Sequence, residues 1–275
     1  MSKETKAVAT TPKNKAVSTT IDYGTDAGQG FENQTNSDIK LPFLNVLQSN
    51  SPQVTNDDSG KLRAGMLFNT VTAEGYDGKE GVLFVPAITK HVFLEYVPRA
   101  KGGGFRGEHN PLSPEVRKAV SSAKEFGKYS LPNGNELSEN FSVFGTLLHS
   151  TGEPNMLVVM NFSSKKIKAY KDINTRVRMF QVTTSEGKKV NPPLFAHIWR
   201  ITTWKDRNEK GDFFNVTVAP ANGSVAKSLL DQTTDAYQAA KSVMEMVKSG
   251  IAQVDYAKAD QESEVPAADP NWQKP

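Results

Sequence analysis

The chain reads as an α+β, β-dominated fold in which antiparallel strands carry a few helices between unstructured ends. Three observations predict this. Seven runs combine β-branched and aromatic residues with apolar/polar alternation. Two segments carry the three- and four-residue apolar spacing of amphipathic helices, and a third carries helix start and stop signals. The two termini lack the large apolar side chains that a packed core needs.

Residues 1–37 are rich in Thr, Lys, Asn, Gly and Gln, and are expected to form a disordered arm because they cannot bury enough surface to offset the entropy of ordering. Residues 38–250 are expected to form one domain, and residues 251–275 an acidic, flexible tail. Strands are expected at 66–72, 82–88, 91–97, 141–149, 156–162, 194–203 and 213–218. The polar stretch 150–155 between two of them reads as a hairpin loop, so the pairing should be mostly antiparallel. A helix is expected at 113–127, where Ser113, Pro114 and Glu115 supply an N-cap, a proline at the first helical position and a first-turn acid, with Gly127 closing it. A second, at 224–248, places Val225, Leu229, Ala236, Tyr237, Ala240, Met244 and Val247 on one stripe before Gly250. A third, at 164–180, sets Ile167, Tyr170, Ile173, Val177 and Phe180 on one side and Lys165, Lys168, Lys171, Arg176 and Arg178 on the other.

The net charge of +3 hides a strong asymmetry. Between residues 163 and 210 twelve bases face four acids, a local net of +8, whereas residues 251–275 carry two bases and five acids, a net of −3. A basic body with an acidic tail points to a polyanionic partner for the first and a docking role for the second.

Enzyme chemistry finds no foothold in the motifs. The chain has no Cys, so disulfides, thiolate zinc sites and thiol nucleophiles are excluded. His91, His109, His149 and His197 are too scattered for a metal-ligand spacing, and neither GxSxG nor GxxxxGK[ST] occurs. Residues 102–107 satisfy GxGxxG formally, but Asn110 to Pro114 delay the helix that would hold a pyrophosphate. The chain is therefore read as a binding protein without cofactor or metal. No apolar window reaches the length of a membrane span and the first residues lack a signal-peptide core, so a cytoplasmic setting is expected.

Single-stranded nucleic acid needs cations to replace condensed counterions and aromatic faces on which unpaired bases stack. Both lie together at Arg200, Trp204, Lys205, Arg207 and Phe213, next to the helix cations Lys165, Lys168, Lys171, Arg176 and Arg178. Phe93, Tyr96, Arg99, Lys101, Phe105 and Arg106 offer the same mixture around a Gly-rich loop. The plainer alternative makes Trp199 and one of Phe213 and Phe214 core residues and leaves the helix cations merely solvated. In the tail, Glu262, Glu264, Asp269 and Trp272 are read as a docking segment for a protein partner, against a purely solubilising role.

Residues 39–48 with Ser51 and Pro52, residues 65–72, residues 82–86 and residues 211–215 together resemble bacteriophage single-stranded DNA-binding proteins of the OB-fold kind. That resemblance implies an OB-like antiparallel barrel with additional helices that binds single-stranded DNA without sequence preference in phage replication or recombination, inside the infected host cell. It also implies replication or recombination proteins as partners of the acidic tail. The runner-up is a phage protein-interaction or virion-associated structural protein with no nucleic-acid role. The tail departs from the family by ending in Trp272-Gln273-Lys274-Pro275, with no terminal Phe.

Overall fold

A computed structural model of the chain describes residues 29–30, 40–208, 211–254 and 256. The chain divides into two compact units, residues 1–35 and 36–275, and every element below belongs to the second. The expected arm lies outside the described residues except for Gln29 and Gly30, which form a turn.

The elements in chain order are β1 (Leu44–Val46), α1 (Pro52–Thr55), β2 (Leu67–Asn69), β3 (Gly75–Tyr76), β4 (Val82–Tyr96), β5 (Phe105–His109), α2 (Pro114–Ser121), β6 (Tyr129–Ser130), β7 (Glu136–Leu148), β8 (Pro154–Ser163), α3 (Lys166–Met179), β9 (Val182–Thr183), β10 (Lys189–Val190), β11 (Trp199–Asn208), β12 (Gly211–Pro220) and α4 (Asp235–Lys248). The main sheet has seven strands. Its spine is the antiparallel pair β4–β7. On the outer edge of β4, β11 pairs residues 82–84 and β5 pairs the far end at 93–96. On the outer edge of β7 lie β8 and the short β6. β12 continues from β11. A smaller antiparallel sheet, β1–β2–β3, touches β8 through a parallel bridge between Phe43 and Val159. The fold is thus β-dominated and antiparallel with a few helices. Among the described residues no backbone ladder joins β8 to β12, so the sheet is not closed by strand pairing.

Strand alternation builds two cores from one sheet. Phe84, Val143 and Val158 face a layer completed by Leu44, Leu67, Trp199 and Ile201 and by the apolar stripe of α3, whose Ile167, Tyr170, Ile173 and Val177 are all buried. Their neighbours Val85, Phe144 and Val159 face the opposite way, onto Ala236, Ala240 and Val243 of α4. Every residue from Phe141 to Leu148 is accordingly buried. At Gly145 even a methyl group would meet the Val85 carbonyl oxygen at 2.3 Å and the Phe84 ring at 2.4 Å, so only glycine fits.

Four expected elements are corrected, one of them the helix at 113–127, which stops at Ser121. The strands at 82–88 and 91–97 are one strand with a register shift between Pro86 and Ile88; Thr89 and Lys90 break the apolar pattern locally, but pairing with Val143 and Ser142 holds them in the ladder. Residues 194–196 form a 3-10 turn, and β11 starts only at Trp199 and runs on to Asn208. The helix expected from 224 begins at Asp235, where the Thr234 hydroxyl accepts from the Tyr237 backbone N–H. Residues before it are taken by long-range bonds, from the Ile198 N–H to the Ser228 carbonyl and from the Leu230 N–H to the Ala196 carbonyl.

Candidate functional site

α3 packs its apolar stripe inward, so its polar face is left toward solvent, and its N-terminal half lines a groove of about 1620 Å³. Three stretches form this groove. The first is the chain beyond β4: Tyr96, Arg99, Gly103 and Gly104, where three consecutive glycines at positive φ (105°, 68° and 103°) bend the loop as other residues rarely could. The second is residues 126–130 with the start of β7, including Glu136 and Glu139. The third is Ser164, Lys165, Lys168, Lys171 and Asp172, with Trp204, Asp206 and Asn215 from β11 and β12.

The groove is aromatic and ionic, but not uniformly basic. Phe126 is 89% exposed and Trp204 46%, whereas Trp199 is 1% exposed. Arg99, Lys128, Lys165, Lys168 and Lys171 face Glu136, Glu139, Asp172 and Asp206, a lining net of +1. Two lysines share one arrangement. Lys165 Nζ stands 3.6 Å from Asp206 Oδ2 and 4.6 Å from the Phe213 ring centre. Lys171 Nζ stands 3.6 Å from Glu139 Oε1 and 5.3 Å from the Phe141 ring centre. Glu139 is also 3.1 Å from His91 Nε2, and that contact, ahead of Lys171, holds its carboxyl below the usual range despite burial. Asp206 is lowered chiefly by the Arg207 backbone N–H, with Asn215 and Lys165 adding to it. Lys128 pairs with Glu125 at 2.5 Å. Lys168 and Arg99 have no acidic partner among the described residues.

Of the residues predicted from sequence, Tyr96, Arg99, Lys165, Lys168, Lys171 and Trp204 are brought together here. Phe213 reaches the site only as the platform under Lys165. Phe93 is corrected to a core residue, 5% exposed against Val116, Ala119 and Tyr129, because alternation turns it toward α2. Phe105 packs between Tyr96 and Tyr256. Lys101 and Arg106 are exposed but do not line the groove, nor do Arg176 and Arg178, which lie at the other end of α3. Arg200 does not line the groove and donates to the Glu80 carbonyl, and Lys205 and Arg207 pair with Asp212 at the hairpin end. Glu262, Glu264, Asp269 and Trp272 lie outside the described residues.

Sequence reasoning missed Phe126 and Lys128. The signal was there, since Phe126-Gly127-Lys128-Tyr129 interleaves aromatics with a cation, but these residues had been absorbed into the helix expected to end at Gly127. That helix stops at Ser121.

Among the described residues no group of three His, Asp or Glu side chains is placed to hold a metal ion, and no helix is long and apolar enough to cross a membrane. The fold and groove describe a β-dominated protein with an open, aromatic and ionic cleft. The model of the Pam3 phage gp34-like protein family matches residues 10–253, and the chain belongs to that family of bacteriophage proteins. No curated protein and no solved structure matches it.

Proposed function

We propose that the chain binds single-stranded DNA without sequence preference, in phage replication or recombination, and that the groove is the binding surface. The observation that carries this reading is the convergence on one cleft of the exposed aromatics Trp204 and Phe126 with the lysine row of α3. Exposed aromatic faces stack unpaired bases, and flanking cations track the backbone.

The strand order β12–β11–β4–β7–β8 supports an OB-like frame: a three-stranded meander, a helix, then a hairpin whose first strand returns to the first strand of the meander. In such a frame the gap between β8 and β12 is spanned by the β1–β2 region. Phe43 bridges Val159, and the Gln48 side chain pairs with both the N–H and the carbonyl of Phe214 in place of a strand. The groove then falls between the connection after the first strand and the hairpin of the last two, where OB frames bind oligonucleotides.

A second reading, a phage protein-interaction or structural role, is favoured by the near-neutral lining of the groove. Titration of poly-dT and of a matched duplex separates the two. Selective binding of poly-dT at low salt supports the proposal, and absence of binding to either favours the protein partner.

A further inference from the structure

The acids of the groove are as regularly placed as its lysines. Lys165 and Lys171 are each set above an aromatic ring and against one carboxylate at the same 3.6 Å, Lys165 just before α3 and Lys171 within its N-terminal half. Lys168, one helical turn from either, is left without such a partner. Both carboxyls are held ionised by further donors, the Arg207 N–H and Asn215 for Asp206 and His91 for Glu139, so they are fixed anions and not incidental rim charges.

Resting on the reading that this groove takes a single-stranded polynucleotide, we infer that Asp206 and Glu139 are resident phosphate surrogates. They hold Lys165 and Lys171 in the positions a backbone phosphate would claim, and they give way to that phosphate on binding. The arrangement has two consequences. Two lysines are preordered at the groove, which lowers the side-chain entropy lost when the ligand docks. Each phosphate must also replace a carboxylate, which weakens the complex and limits it to ligands that deliver aromatic stacking along with charge. A duplex, whose bases are already stacked on each other, presents phosphate without that second contribution. The carboxylates thereby set both the affinity and the preference for single strands.

The test is neutralisation of each acid in the full chain: Asp206→Asn and Glu139→Gln, with Asp212→Asn as the control. Asp212 pairs Lys205 and Arg207 outside the groove, so its loss changes the net charge equally without freeing a groove lysine. Ion pairs of this kind contribute little on their own, so each groove variant should bind poly-dT about 1.5- to 5-fold more tightly than wild type. The slope of log K against log salt should steepen by about 0.7 for each freed lysine. Duplex binding should gain more than poly-dT binding does, narrowing the preference. Because Glu139 is half-buried, Asp206→Asn alone suffices if Glu139→Gln fails to fold. Equal effects in Asp206→Asn and Asp212→Asn, or no tightening in either groove variant, overturn the inference while leaving the groove reading intact. If wild type binds no single strand, both fall together.

Discussion

Replacing Trp204 by Ala removes one of the two exposed aromatic faces of the groove. The side chain is 46% exposed and its backbone pairs with Asn215 of β12, so truncation leaves the ladder intact and should leave the melting temperature within a few degrees of wild type. A base stacked on an aromatic side chain contributes about 1–3 kcal/mol. At fixed salt the Kd for poly-dT should therefore rise about 5- to 150-fold, with little change in the salt slope, because no cation is lost. Fluorescence anisotropy of a labelled oligonucleotide measures the loss directly. Intrinsic fluorescence adds an independent readout: the chain has three Trp, and in a Trp272→Phe background only Trp199 and Trp204 emit. Trp199 is buried, so quenching on DNA addition should come from Trp204 and vanish in the double variant. A loss of less than twofold with the fold preserved refutes the stacking role.

Three further outcomes test the frame. His197 is 1% exposed and burial pushes its pKa down to about 4, so it folds neutral; its contribution is complete above the unfolded value of 6.5 and is lost as pH falls toward 4. That difference is worth about 3 kcal/mol at most, and a His197→Leu chain should lose less stability than wild type in denaturant melts between pH 6.5 and 4. Gly145→Ala should cost about 1–3 kcal/mol or prevent folding, since the new methyl meets backbone and a buried ring; a neutral result in chemical denaturation would contradict the packing of β4 on β7. Tyr256→Phe removes the 2.7 Å bond between the Tyr256 and Ser142 hydroxyls and should cost about 1 kcal/mol, which hydrogen exchange at the C-terminal end of α4 would also register.

Much of the frame was legible because its signals are local. Alternation marked the strands around Phe84, Val143 and Val158, and helical spacing separated the buried face of α3 from its lysines. What escaped depends on partners distant in sequence. Thr89 and Lys90 look like a break until β7 pairs with them, and 224–230 looks helical until the Ala196–Ile198 segment claims its backbone groups. The acidic half of the groove escaped for the same reason. Asp206 and Glu139 stand 67 residues apart, and nothing in either neighbourhood shows that each will face a lysine of α3. The cationic helix face was expected to act as a whole, but Arg176 and Arg178 lie beyond the groove, and Lys165 and Lys171 arrive already paired. The first residues of the expected tail are also part of the folded unit, since Ala252 and Tyr256 are buried.

The most direct test of the central claim compares two charge reversals on the same helix, Lys168→Glu inside the groove and Arg178→Glu outside it, by titrating poly-dT over a range of salt. For wild type the five groove cations bound the slope of log K against log salt at about −3.5, and the two without acidic partners, Arg99 and Lys168, set a minimum near −1.4. Lys168→Glu should weaken binding and flatten that slope by about 0.7 or more, and Arg178→Glu should leave it unchanged. Equal slopes in the two variants, or a Lys168→Glu chain that titrates like wild type, would contradict the groove as the DNA-binding surface.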